Sequence, residues 1–167
     1  NIFYLHKDPK ICAEQHLDKH VVKMLIEYAQ LMSTAHRMLD GQEYVAKSKT
    51  GRKVTRYRLD NPNEEATVYK ACHLNHPSAV WVRKSAYNYW WLYQMWSHLH
   101  EEFKIRYGKD HKSYVVLKEL LRNPPKNIPL NIPFNQPTQA MPDDVKNEDS
   151  ITAYRDYYIK YKNSFAT

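Results

Sequence analysis

The sequence predicts an all-α fold: a single compact helical domain over residues 1–167, with two long central helices, a basic loop at 42–60 and a proline-rich strap at 123–143. Three observations carry that expectation. Pro9–Leu39 is the longest uninterrupted helical pattern and holds no glycine or proline after Pro9. His76–Gly108 offers a second long helix with Val80, Tyr87, Trp91, Trp96, Leu99 and Phe103 available to bury. A length of 167 residues suits one domain that buries about 70% of the unfolded chain's surface.

In chain order, Asn1–Leu5 (NIFYL) is too brief for a helix and is expected to lie extended against the first one. Asp8 as N-cap and Pro9 at the first helical position open that helix, and Gly41 closes it. Leu17, Val21, Met24, Tyr28, Leu31 and Ala35 form an apolar stripe, and Val22, Leu25, Ile26, Ala29 and Met32 cover most of the remaining circumference, which makes the helix central. Gly41–Asn61 breaks the pattern and reads as a long exposed loop or irregular hairpin. Its cations Lys47, Lys49, Arg52, Lys53, Arg56 and Arg58 have no acid among them. Asn61, Pro62 and Glu64 open a short helix to about Cys72. The His76-Pro77-Ser78 turn starts the second long helix, and Asp110 can cap a further one, KSYVVLKELL. Six of the nine prolines fall between Pro124 and Pro142, so that segment is neither helix nor strand. Asp149 or Ser150 caps a last helix, ITAYRDYYIKYKNSF.

A formal net charge of +7 and a pI near 9.3 point to a polyanionic partner, nucleic acid before an anionic membrane surface. Fourteen tyrosines and four tryptophans exclude a disordered chain. With two cysteines, no signal peptide and no bilayer-length apolar run, the expectation is a reduced, intracellular, monomeric protein without a membrane or an obligate protein partner.

The main functional clue is a polar line on the first helix: His16, His20, Lys23, Glu27, Gln30 and Thr34 all lie within roughly 40° of one line along it. Two imidazoles, an amine and a carboxylate on one line supply an acid, a base, a nucleophile and an orienting charge; the same residues also suit a buried polar network. His16 and His20 have the i,i+4 spacing of a metal pair but lack the Glu of an H-E-x-x-H arrangement. His73, Asn75 and His76 beside a helix start can hold a phosphate or carbonyl oxygen. Tyr154, Tyr157, Tyr158 and Tyr161 mixed with Arg155, Lys160 and Lys162 suit either a core or a nucleic-acid platform.

Several strings resemble the pyrimidine-dimer DNA glycosylase family of endonuclease V type. They are Asn1-Ile2 leading to Ala13–Leu17, His36 before Gly41, Asn75–Pro77 followed by Trp81, Glu101–Gly108, and the aromatic, basic end Tyr154–Ala166. Together they cover about half of the chain. DKHVVKM and NHPSAVW are also similar to strings in phage proteins of about this size. The resemblance implies an all-helical double-stranded-DNA-binding enzyme without metal or cofactor. Its N-terminal amine would attack a sugar C1′, displace a damaged or modified base and cleave the strand through an imine, aided by a Glu on the first helix. Where the family places that Glu, this chain has Lys23, and Glu27 lies one turn further. Two nucleophiles therefore stay open: the amine of Asn1, or a desolvated Lys23 if an initiator Met displaces that amine. Either works with Glu27 as acid-base partner and with His16 and His20 positioning the sugar phosphate. The six basic-loop residues, His76, Tyr158 and Lys160 would grip the duplex. The rivals are a binding module without catalysis and a metal-dependent phosphodiesterase built on His16, His20 and His76.

Overall fold

The structure, a computed structural model, describes residues 1–162. The last residues of the expected C-terminal helix and of the resemblance, 163–166, lie outside them. Asp8 accepts from the Lys10 and Ile11 N–H groups and starts α1 (Pro9–Glu14), after which the chain breaks at Gln15–Leu17 and restarts as α2 (Asp18–Asp40). The expected single helix is thus two, although no glycine or proline marks the break. The His16 ring turns back onto the Cys12 carbonyl at 2.8 Å, and Leu17 is extended. Inside this corner runs the N-terminal segment, with Ile2, Phe3, Tyr4 and Leu5 almost fully buried.

The all-α expectation is corrected by the segment after α2. The chain is 56% helical and adds a two-stranded antiparallel sheet, β1 (Gln42–Lys47) with β2 (Lys53–Arg58), in the register Gln42↔Arg58 to Lys47↔Lys53. Gly51 at φ +82° makes the turn, where a side chain would be strained. Tyr44, Val45, Val54, Thr55 and Tyr57 supply the strand-forming residues, and Arg58 lies over the Tyr44 ring at 4.4 Å.

The second long helix is also divided, into α4 (Pro77–Lys84) and α5 (Ala86–Tyr107), because Ser85 is extended. The Ser85 hydroxyl accepts the Tyr87 N–H and donates to the Ile132 carbonyl, so the strap fixes the bend. Before it, α3 (Pro62–Thr67) ends well short of Cys72. α6 (Lys112–Leu121) matches its expected span but is capped by His111, not Asp110. α7 (Ser150–Tyr157) is capped by Asp149 and runs into a π-helical turn, Tyr158–Lys162. α2 packs on α4, α5 and α6, with Tyr28, Trp81, Tyr89 and Trp96 buried where they meet. Among the described residues no helix is long and apolar enough to cross a membrane.

The hairpin is tied to the body mainly by Arg37, which is 4% exposed. Its guanidinium donates to the carbonyls of Tyr57, Glu65, Val68 and Tyr69 and to the Glu65 carboxylate. Arg37→Leu strands four carbonyls and a half-buried carboxylate. It is expected to lower stability by about 3–5 kcal/mol in urea unfolding, with the hairpin amides losing hydrogen-exchange protection first.

Candidate active site

A cavity of about 210 Å³ lies where three pieces of chain meet. Asn1 enters from the buried N-terminal segment, α2 contributes Glu27, Gln30 and Leu31, and the loop before α4 contributes Cys72, His73 and His76. The volume is below the roughly 300–1,000 Å³ of a drug-sized site and suits one small group. A larger, open depression along the strap at Gln136–Gln139 and Lys146–Ser150 holds no buried acid-base pair.

Each wall has a local cause. Tyr28 points inward from α2 and accepts the Phe3 N–H at 3.2 Å, which leaves Glu27, about 100° around the helix, facing the cavity. Thr34 holds the loop, since its hydroxyl accepts the Cys72 N–H at 3.2 Å and donates to the Cys72 carbonyl at 3.4 Å. His73 sits in the left-handed region at φ 49° as the loop bends toward His76, whose ring caps α4.

Electrostatics single out the N-terminal residue. A free amine at Asn1 is held below its ordinary 8.0 by burial, with Glu27 pulling it up and Lys23 and Lys162 pulling it down. His76 is also lowered, first by burial and then by the Asn1 amine. Two acceptors in this space, Asn1 Oδ1 and Glu27 Oε2, are buried without a hydrogen-bond partner. The nearest cation, Lys23 Nζ, stands 3.7 Å from Glu27 Oε2, and its side chain is 69% exposed. The desolvation expected of Lys23 is absent.

The polar line therefore does not act as one unit. Glu27 and Gln30 reach the cavity, Lys23 stands at the solvent beside it, and Thr34 braces its loop. His16 and His20 turn into the core. The Cys12 carbonyl can only accept, so His16 Nδ1 donates to it; Nε2 then accepts from the Tyr28 hydroxyl at 2.8 Å, and the ring is satisfied without a sugar phosphate. Burial pushes its pKa down to about 3. His20 Nδ1 pairs with the Tyr158 hydroxyl at 2.6 Å, and its ring stacks on Phe3 at 4.2 Å. Both histidines thus hold the N-terminal segment. With both His16 nitrogens engaged, the expected His16, His20 and His76 metal set is not assembled, and no three His, Cys, Asp or Glu side chains converge among the described residues.

The residues expected to grip nucleic acid divide similarly. Lys47, Lys49, Arg52, Lys53 and Arg58 are exposed on the hairpin, and Arg56 lines a cleft at its base with Lys70. Tyr158 is buried against His20, and Lys160 is ion-paired with Asp144, which also accepts from the Tyr161 hydroxyl. Tyr28 and Arg37, which build the site's frame, carry no sequence signal beyond helical spacing. No protein-family model, curated protein or solved structure matches the chain.

His16, His20 and His36 are buried with pKa values lowered by burial to about 3, 4 and 4. Below pH 6.5 the unfolded chain binds protons that the folded one refuses, so stability falls as pH drops toward these values. Each histidine contributes at most about 1.4 kcal/mol per pH unit. Urea midpoints are expected to be clearly lower at pH 5 than at pH 7.5, with a shallower pH dependence in His16→Asn.

Proposed function

We propose that the chain binds double-stranded DNA and excises a damaged or modified base as an N-glycosylase with abasic-site lyase activity, with the α-amine of Asn1 as nucleophile. The observation that carries this reading is the placement of that amine, its pKa lowered by burial, in a half-open cavity beside the Glu27 carboxylate, whose Oε2 is buried without a hydrogen-bond partner. At pH 7 an ordinary α-amine is about one-tenth neutral, a few hundredfold more than an ordinary lysine, and burial raises that fraction. Exposed Lys23 is the weaker nucleophile and acts as a charge that favours the neutral amine.

The amine's lone pair forms a bond to C1′, and the base departs with the electrons of the glycosidic bond. Glu27 takes the proton that the nitrogen sheds and can return it to the ring oxygen as the sugar opens to the imine. Loss of the C2′ proton then drives β-elimination of the 3′ phosphate. The hairpin cations and the +7 net charge supply the grip on the duplex backbone.

The reading requires a free α-amine at Asn1, which intact-mass measurement of the purified protein checks. Borohydride added to the protein and a duplex with one abasic site is expected to trap a covalent adduct. Glu27→Gln is expected still to trap but to slow strand cleavage by about 10²–10⁴-fold. Because Glu27 raises the amine's pKa, the variant's acid limb of trapping should shift to lower pH. A Met added before Asn1 should fill the cavity and abolish trapping. Tight binding without any adduct would instead make the chain a non-catalytic binding module. If all six hairpin cations meet phosphates, replacing them with Ser should reduce the log–log salt slope of binding by about 5.

A further inference from the structure

His76 has a feature that the nucleophile and its carboxylate do not require. Its Nδ1 accepts the Ser78 N–H at 3.0 Å, capping α4. A neutral imidazole that accepts at Nδ1 carries its proton on Nε2, so His76, a residue of the cavity wall, is left with a hydrogen-bond donor at Nε2. The neighbouring acceptors do not take that proton, because Asn1 Oδ1 and Glu27 Oε2 are both buried without a hydrogen-bond partner. The cavity wall thus brings together Asn1, two acceptors without hydrogen bonds and one donor residue that caps an eight-residue helix, where the helix dipole favours negative charge.

Resting on the base-excision reading above, we propose that His76 is a catalytic residue of the excision step alone, donating from Nε2 to the departing base. The base has an acceptor next to its glycosidic nitrogen, O2 in a pyrimidine or N3 in a purine, where charge develops as C1′–N breaks. The bond from the Asn1 nitrogen to C1′ forms, the glycosidic electron pair moves onto the base, and Glu27 receives the amine's proton. The base leaves as an anion held by the imidazole N–H and takes its own proton from water, so His76 stays neutral throughout. A sugar that has already lost its base presents no such anion, and His76 has no task there. The acceptors Asn1 Oδ1 and Glu27 Oε2, which lack hydrogen bonds, ask for donors, which the iminium N–H and the hydroxyl of the opened sugar supply.

Two variants separate the donor from the cap. His76→Ser keeps an N-capping oxygen but cannot reach the cavity; His76→Gln keeps a donor near the Nε2 position but loses the cap. Each is assayed on two probes: plasmid duplex bearing ultraviolet, alkylation or oxidation lesions, scored by nicking, and an oligonucleotide duplex with a single abasic site, scored by cleavage. His76→Ser is expected to unfold at the wild-type temperature, to nick damaged plasmid about 10²–10³-fold more slowly and to cleave the abasic duplex within threefold of wild type. His76→Gln should unfold at a lower temperature yet nick damaged plasmid within tenfold of wild type. Equal losses on both probes in a folded His76→Ser protein, or no loss on either, overturn the role. A wild-type protein that cleaves only the abasic duplex overturns it too and leaves the lyase reading standing, whereas cleavage of neither probe overturns the enzyme reading itself.

Discussion

A closed circuit of buried hydrogen bonds around the N-terminal segment is the constraint on which the remaining structure depends. The Phe3 N–H donates to the Tyr28 hydroxyl, which donates to His16 Nε2; His16 Nδ1 donates to the Cys12 carbonyl, and the Cys12 thiol donates to the Phe3 carbonyl at 3.1 Å. Every member is buried, so removing one leaves a polar group unsatisfied at about 1–3 kcal/mol. Burial accordingly holds the Cys12 thiol up at about 12 and the His16 ring down at about 3, keeping both neutral. The circuit bends the chain between α1 and α2 and leads the segment from Leu5 back to Asn1 along α2. Tyr28 holds Phe3 while its neighbour Glu27 meets the residue two positions earlier.

The opposite wall of the cavity is fixed by two ties to the same helix. Thr34 clasps Cys72, and a turn further on Arg37 gathers the carbonyls of Tyr57, Glu65, Val68 and Tyr69. The segment between these ties runs from the cleft under the hairpin to the cavity, so the basic ribbon and the candidate site hang on one brace. Lys47 and Lys53 face each other in the ribbon, an arrangement costly in isolation and relieved by a polyanion. Rigid support of a small charged cavity matters because a nucleophile gains most when it is held in attacking geometry.

Local chemistry made much of this legible in advance. The starts at Asp8-Pro9 and Asn61-Pro62 were readable because a capping side chain and a first-turn proline act within a few residues, and the start at Asp149 because its capping side chain does. Prolines made the strap and the end of α6 readable, whereas the cap of α6 is His111 and not the expected Asp110. The breaks at Gln15–Leu17 and Ser85 were not, because their causes are tertiary: His16 bonding to Tyr28 of α2, and Ser85 bonding to the strap. The hairpin was half visible, its basic tip plain but its six-residue strands masked by charge. The polar line identified Glu27 and Gln30, yet periodicity alone could not separate them from His16 and His20, whose partners Tyr28 and Tyr158 read as ordinary core aromatics. Asn1 entered only through the family resemblance, since a helical pattern says nothing about a residue outside the helix.

The central claim is that the chain's nucleophile is the amine of Asn1 and not the ammonium of Lys23. Tandem mass spectrometry of the borohydride-reduced adduct, after nuclease and protease digestion, tests this most directly. The account predicts the sugar remnant on the α-nitrogen of the peptide that begins at Asn1. A remnant on Nζ of Lys23, with the Asn1 amine unmodified, would contradict it.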